Sequence, residues 1–243
     1  MTNYELLLNI NQKAKENIEN LNTTGKMDDL NKCIAFSNDF NTWLSHCGIF
    51  SEYRLIKEAQ TECINSICLC AQGFYKEAIS TLRQCLEHTL FSVMLSANDY
   101  KYRLWQAGKN DMSWTQLMDS QNGIFGVEFI RVYANDVDET RSMELLAIAK
   151  AVYRECSEFV HGNYKKLSIL SDALMYNEKA FNQYTSYFES VKYIICMAIF
   201  IRFREILNDP ENLRELESVV MDNIGMLPEV QLLYSKEGES ENE

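Results

Sequence analysis

Two prolines and nine glycines in 243 residues leave this chain few places to reverse direction. Folds built from strands and tight turns need such residues at nearly every corner, so their scarcity points to long uninterrupted helices. The apolar residues follow suit. Leu6, Leu7, Ile10, Ala14, Ile18 and Leu21 recur at intervals of three and four, as do Leu82, Leu86, Leu90 and Val93 further on. That is the spacing of one helix face turned to a core. With 47% hydrophobic residues, the chain has ample material for a single core. The expectation is an all-α fold, an up-down bundle of long antiparallel helices, as one domain over residues 1–234.

The chain divides as follows. Residues 3–22 and 27–46 read as an N-terminal helical hairpin, broken at Thr23–Lys26 and closed at Gly48. Ser51 is a good N-cap for a third helix reaching Gln72, and Gly73 separates it from a fourth, Phe74–Ala97. Residues 99–139 read as an insertion of short helices, aromatic through Trp105, Trp114, Phe125, Phe129 and Tyr133. With Arg103 and Arg131 such a patch can stack bases, though such residues more often pack an insertion onto its bundle. A helix over 140–161 follows, then a connection over 163–176. Next comes a long helix over 178–207, apolar nearly all round from Val191 to Ile201, as suits a central position. Residues 211–221 read as a last short helix and 235–243 as a disordered acidic tail.

Charge and cysteine usage narrow the function classes. A net charge of −12 rules out binding nucleic acid through bulk electrostatics, so a nucleic-acid role needs a local basic site. The eight cysteines fall among helical apolar positions and form no C-x-x-C pair. They read as small core residues of a reduced cytoplasmic protein. Cys68 and Cys70 point to different faces of a helix, so a zinc site with Cys63 is not expected. The N-terminus lacks a signal-peptide pattern. The most apolar run, Tyr193–Ile201, is far short of the roughly 20 residues of a membrane span. No phosphate-binding loop, zinc helix motif or nucleophile elbow is present, and no cofactor or membrane partner is expected.

One stretch carries chemistry: Tyr153–Gly162, Y-R-E-C-S-E-F-V-H-G, with one of only three histidines. On a helix, Arg154 and His161 fall about 20° apart. The apolar stripe of the same helix, Leu145, Ile148, Ala149, Val152, Cys156 and Phe159, points roughly the opposite way. His161 is therefore not a core histidine. Gly162 stands where a helix ends, so a surface histidine or one capping the last carbonyls is the plain alternative to a functional one. Lys165 and Lys166 form a small basic cluster just beyond. Arg83 and Glu87, four apart on the fourth helix, read as an ion pair at the rim of the core. The alternative places Arg83 or His88 in a polar site shared with the Arg154 helix.

Arg154, six residues, then His161 at a helix end resembles the R-x(4–6)-H motif of the HEPN (higher eukaryotes and prokaryotes nucleotide-binding) superfamily. S-E-F-V-H-G is similar to the wording of many prokaryotic members there. Gly73–Leu90 looks like the earlier core helix of abortive-infection-like members, which are prokaryotic defence proteins. The resemblance covers about residues 51–207 loosely and these two stretches specifically. It implies a metal-independent endoribonuclease, acting in RNA processing or defence, in which a 2′-hydroxyl of single-stranded RNA attacks the adjacent phosphate. His161 would act as general acid and base, and Arg154 would hold the phosphate and its developing charge. Ser157 is placed to orient a ligand from the neighbouring turn. One departure is Glu155, where the family often has Asn, Asp or His. A carboxylate there would repel an RNA phosphate.

One chain does not complete such a site. The two Cα atoms lie about 10.5 Å apart along the helix, and arginine side chains lean away from His161. An antiparallel pair of these helices would bring Arg154 of one copy towards His161 of the other, with Ala147 and Ala151 small enough to allow close approach. The expectation is a homodimer with a composite site. Two other readings stay open: a non-catalytic helical module binding a nucleotide or protein partner, and an Arg/His pair that only caps a helix end.

Overall fold

In a computed structural model, residues 2–48, 54–111, 113–170 and 175–235 are described. These residues form α-helices and short 3₁₀ and turn segments, with no strand among them. The helices are α1 (Asn3–Thr23), α2 (Met27–His46), α3 (Arg54–Ala71), α4 (Tyr75–Ser96), α5 (Asp99–Gln106), α6 (Trp114–Leu117) and α7 (Val127–Tyr133). They continue as α8 (Glu139–Val160), α9 (Tyr164–Leu167), α10 (Glu178–Arg202), α11 (Pro210–Glu215), α12 (Glu217–Ile224) and α13 (Pro228–Ser235).

The core is one contiguous cluster built around α4 and α10, with α3, α8 and α2 packed against them. α10 is central for the reason its sequence suggests. Ile194 to Ile201 are buried without a break, so the helix has no solvent face there. α3 and α4 form a hairpin across Gly73, whose φ of +88° only glycine adopts freely. Asn177 begins α10 as an N-cap, its side chain accepting from the Ala180 N–H at 3.1 Å. The insertion of α5, α6 and α7 packs on α4, α8 and α10. Its aromatic residues serve that packing: Phe125 and Phe129 are buried, and Trp114 stacks on Tyr153 of α8 at 3.8 Å.

Some boundaries differ from the sequence reading. The long helix ends at Arg202, and residues 204–208 tighten into a 3₁₀ turn before the Asp209 cap and Pro210 start α11. Three C-terminal helices stand where one was expected. α13 was missed because its eight residues are too few to show a period, and Ser235 is its last residue rather than part of a tail. The expected cap at Ser51 and residues 236–243 of the expected tail lie outside the described residues. α1 departs most. Ala14, Asn17 and Leu21 are buried, but Leu6, Leu7 and Ile18 of the same stripe are exposed. Ile34 of α2 and Ile148 of α8, also placed on core stripes, are partly exposed.

Candidate functional site

α8 starts at an Asp138 cap, whose side chain accepts from the Arg141 N–H at 2.7 Å. It ends where the sequence predicts, with Val160 its last residue and His161 at the C-cap. Gly162 follows at φ +73°, and the Asn163 N–H reaches back to the Glu158 carbonyl at 3.0 Å. This is the glycine-terminated helix end that satisfies the last carbonyls through backbone alone. The capping alternative for His161 therefore loses its purpose, since the backbone does that work.

The core side of α8 consists of Leu145, Ala149, Val152, Cys156 and Phe159. The opposite side carries Met143, Ala147, Ala151, Arg154 and His161, all exposed. The Arg154 side chain is 79% exposed and ion-paired to Glu158 one turn on, Nε to Oε1 at 3.4 Å. The His161 imidazole has no hydrogen-bond partner among the described residues, and no cavity of the single chain contains either residue.

The two flanks of α8 hold polar clusters. On one, Arg83 of α4 pairs with Glu87 at 3.2 Å, the expected ion pair. The same guanidinium lies 5.1 Å from the Tyr153 ring centroid and donates to Ser157 Oγ at 3.5 Å. Ser157 in turn donates to the Tyr153 carbonyl at 2.7 Å. Arg83 and Ser157 thus meet, but on a flank turned to α4, about 60° round the helix from Arg154. Burial, then the nearby Glu87 carboxylate, raises the Tyr153 hydroxyl above the usual tyrosine range. His88 is not part of this cluster. It pairs with Glu62 of α3, Nδ1 to Oε2 at 2.8 Å.

On the other flank, Glu155 accepts from Lys166 of the connection, and also from the Tyr187 hydroxyl of α10 at 2.8 Å. Lys166 donates to Tyr187 as well, at 3.0 Å. The Lys166 hydrogen bond holds the Glu155 carboxyl below the usual carboxylate range. Burial opposes the Lys166 charge, but its bonds to Glu155 and Tyr187 outweigh that and raise it. Burial pushes the Tyr187 hydroxyl up to about 12. Of the two lysines expected to form a basic cluster, Lys166 is consumed here and Lys165 alone stays exposed beside His161 and Tyr164.

Sequence reasoning missed the Glu155–Lys166–Tyr187 triad and the stack of Arg83, Tyr153 and Trp114. Both join residues far apart in the chain, and no local spacing marks them. Among the described residues no group of three or more His, Cys, Asp or Glu side chains is placed to hold a metal. His46, expected to be a surface or capping residue, does both: Nδ1 meets the Thr42 carbonyl at 3.0 Å and Nε2 the Glu215 carboxylate of α11 at 2.8 Å. No helix among the described residues is long and apolar enough to cross a membrane. Comparison of the chain with protein families, curated proteins and solved structures finds no match.

Proposed function

We propose that this chain is a HEPN-like helical protein whose site is the exposed end of α8, and that a second copy completes it as a metal-independent endoribonuclease. The observation that carries this reading is the placement of Arg154 and His161. Both project from the side of α8 opposite the core, and nothing in the chain covers them. Glu155 weighs less against RNA than its charge suggests, because it lies about 100° round the helix and Lys166 neutralises it.

In the composite site, the 2′-hydroxyl of single-stranded RNA attacks the adjacent phosphate. The His161 imidazole takes the hydroxyl proton and returns one to the departing 5′-oxygen. Arg154 of the other copy donates to the phosphate oxygens as their charge develops. The pairing has a fixed register. For Arg154 to oppose the partner's His161 in an antiparallel pair, the two-fold axis falls between positions 157 and 158. Ala147 and Ala151 then lie away from the crossing point, towards the partner's segment 164–168, where their small size leaves room for Tyr164 and Leu167.

The test is incubation of the purified protein with single-stranded RNA in EDTA. The wild type is expected to cleave, and His161→Ala and Arg154→Ala each to lose about 100-fold or more in rate. Full cleavage by His161→Ala would falsify the catalytic reading. A second reading, a non-catalytic module binding a nucleotide or a protein, is favoured by the Glu158 carboxylate held against Arg154 and by the net charge of −12. RNA binding without cleavage, weakened by Arg154→Ala, would select it.

A further inference from the structure

The N-terminal half of α1 is a large apolar surface without a partner in the chain. The last turns of this helix are docked: Ala14, Asn17 and Leu21 are buried, and Asn17 Nδ2 donates to the Gln72 carbonyl at 2.9 Å. Towards the N-terminus the stripe continues past its support. Tyr4 is 70% exposed, Leu7 61%, Leu8 50% and Leu6 43%. The first turn is nonetheless a finished one. Thr2 and Glu5 form a capping box, with each side chain accepting from the other's backbone N–H. A dozen residues of helix are marginal in water without tertiary support. Four large apolar side chains on them form a surface of the kind that marks a contact.

The charge on this arm is opposite to that of the chain. Lys13 and Lys15 flank the Leu7–Ile10–Ala14 stripe on its two sides, while the chain as a whole carries −12. A surface of opposite charge lies on the same molecule, in a groove of about 590 Å³ between α2, α10 and α12. Its rim carries Asp29, Asp39, Glu189 and Asp222 over an apolar floor at Phe36. The two lysines at the rim are already held, Lys32 by Asp29 at 3.5 Å and Lys192 by Glu189 at 2.6 Å. The α2 wall from Asp29 to Asp39 is about 15 Å long and the arm from Leu6 to Lys15 about 13.5 Å, so the two match in length. No described residue of α1 lines the groove in its own chain.

We propose that the α1 arm of one copy docks in the α2–α10–α12 groove of a second copy. Leu7 and Ile10 lie over Phe36, and Lys13 and Lys15 meet the acidic rim. Two arms exchanged about a two-fold axis close the assembly as a dimer. This contact is separate from the α8 face and does not depend on the proposed RNA site.

Two measurements test it. The first is carbodiimide coupling of an equal mixture of isotopically heavy and light chains, read by peptide mass spectrometry. Heavy–light pairs joining Lys13 or Lys15 to Asp39 or Asp222 are expected. The second is sedimentation velocity. Leu7→Glu, at a position exposed in the single chain, should raise the dimer dissociation constant by about ten-fold or more, which is ~1.4 kcal/mol. Lys13→Glu should weaken the dimer several-fold, and Asp222→Lys in the same chain should restore it. Circular dichroism confirms that each variant is folded. Mixed pairs joining α1 to α1, a dimer indifferent to Leu7→Glu, or a monomer at all concentrations would each overturn the proposal.

Discussion

Glu155 follows Arg154 in the chain but sits about 100° round α8 from it, against Lys166 and the Tyr187 hydroxyl. A sequence pattern places an acid beside the proposed phosphate site, whereas the fold gives that acid a counter-charge from eleven residues further on. Lys166→Met removes the counter-charge and leaves a half-buried carboxylate. It should cost about 1–2 kcal/mol in urea unfolding and weaken RNA binding several-fold. Glu155→Gln in the same chain should recover most of both, and a double variant no better than Lys166→Met alone would show that the two residues act independently. Glu158 matters in the opposite direction. Its pair with Arg154 is largely solvated and holds the guanidinium by only about 0.2–1 kcal/mol. Glu158→Gln should therefore tighten RNA binding, by about two- to five-fold in a titration at low salt. Arg154, His161 and the helix stop at Gly162 were legible in the sequence because helical angle and glycine chemistry are local. Lys166 was read as a ligand for RNA because the side chain that claims it, Tyr187, lies on another helix.

Among the elements, the long helices announced themselves through apolar spacing and the short C-terminal ones did not. α11 is tied to the end of α2 by the His46–Glu215 contact, and α3 to α4 by His88–Glu62. In each, the hydrogen bond to the carboxylate is the largest cause of a raised imidazole pKa. A folded-state pKa above the unfolded one means that the stabilisation is complete below the ordinary imidazole range. It is then lost as pH rises through the raised value. Stability should fall between about pH 6 and pH 8. Each contact should contribute no more than about 1 kcal/mol, since one partner of each is accessible to solvent. Urea midpoints across that window should decline for the wild type and stay flatter in a His46→Gln, His88→Gln double variant. The α1 stripe shows the limit of spacing as evidence. Leu7 and Leu21 occupy equivalent positions on one face, yet only Leu21 has a surface to meet. Leu21→Ala should cost about 2–5 kcal/mol, and Leu7→Ala almost nothing in the isolated chain.

For the molecule as a whole, the core is the property the sequence predicted most directly, and the thiols report on it. Cys33, Cys47, Cys63, Cys70, Cys85, Cys156 and Cys196 are buried and Cys68 is exposed. Burial alone raises Cys33, Cys47 and Cys156 to about 12, and it is a main cause at Cys70, Cys85 and Cys196 as well. The reactive species is the thiolate, so these side chains are shielded twice, by access and by protonation. In the folded protein at pH 8, Ellman's reagent should therefore titrate one thiol quickly, and Cys68→Ser should abolish that phase. The others should react only as the core opens, in 6 M guanidinium or slowly at the rate of unfolding. Their release as one kinetic phase is expected if the bundle opens as a unit, because they come from α2, α3, α4, α8 and α10, all of which share one cluster. Fast release of Cys33 and Cys47 ahead of Cys156 and Cys196 would mean instead that α2 detaches first. The groove proposed for the α1 arm would then belong to a separately opening part of the molecule.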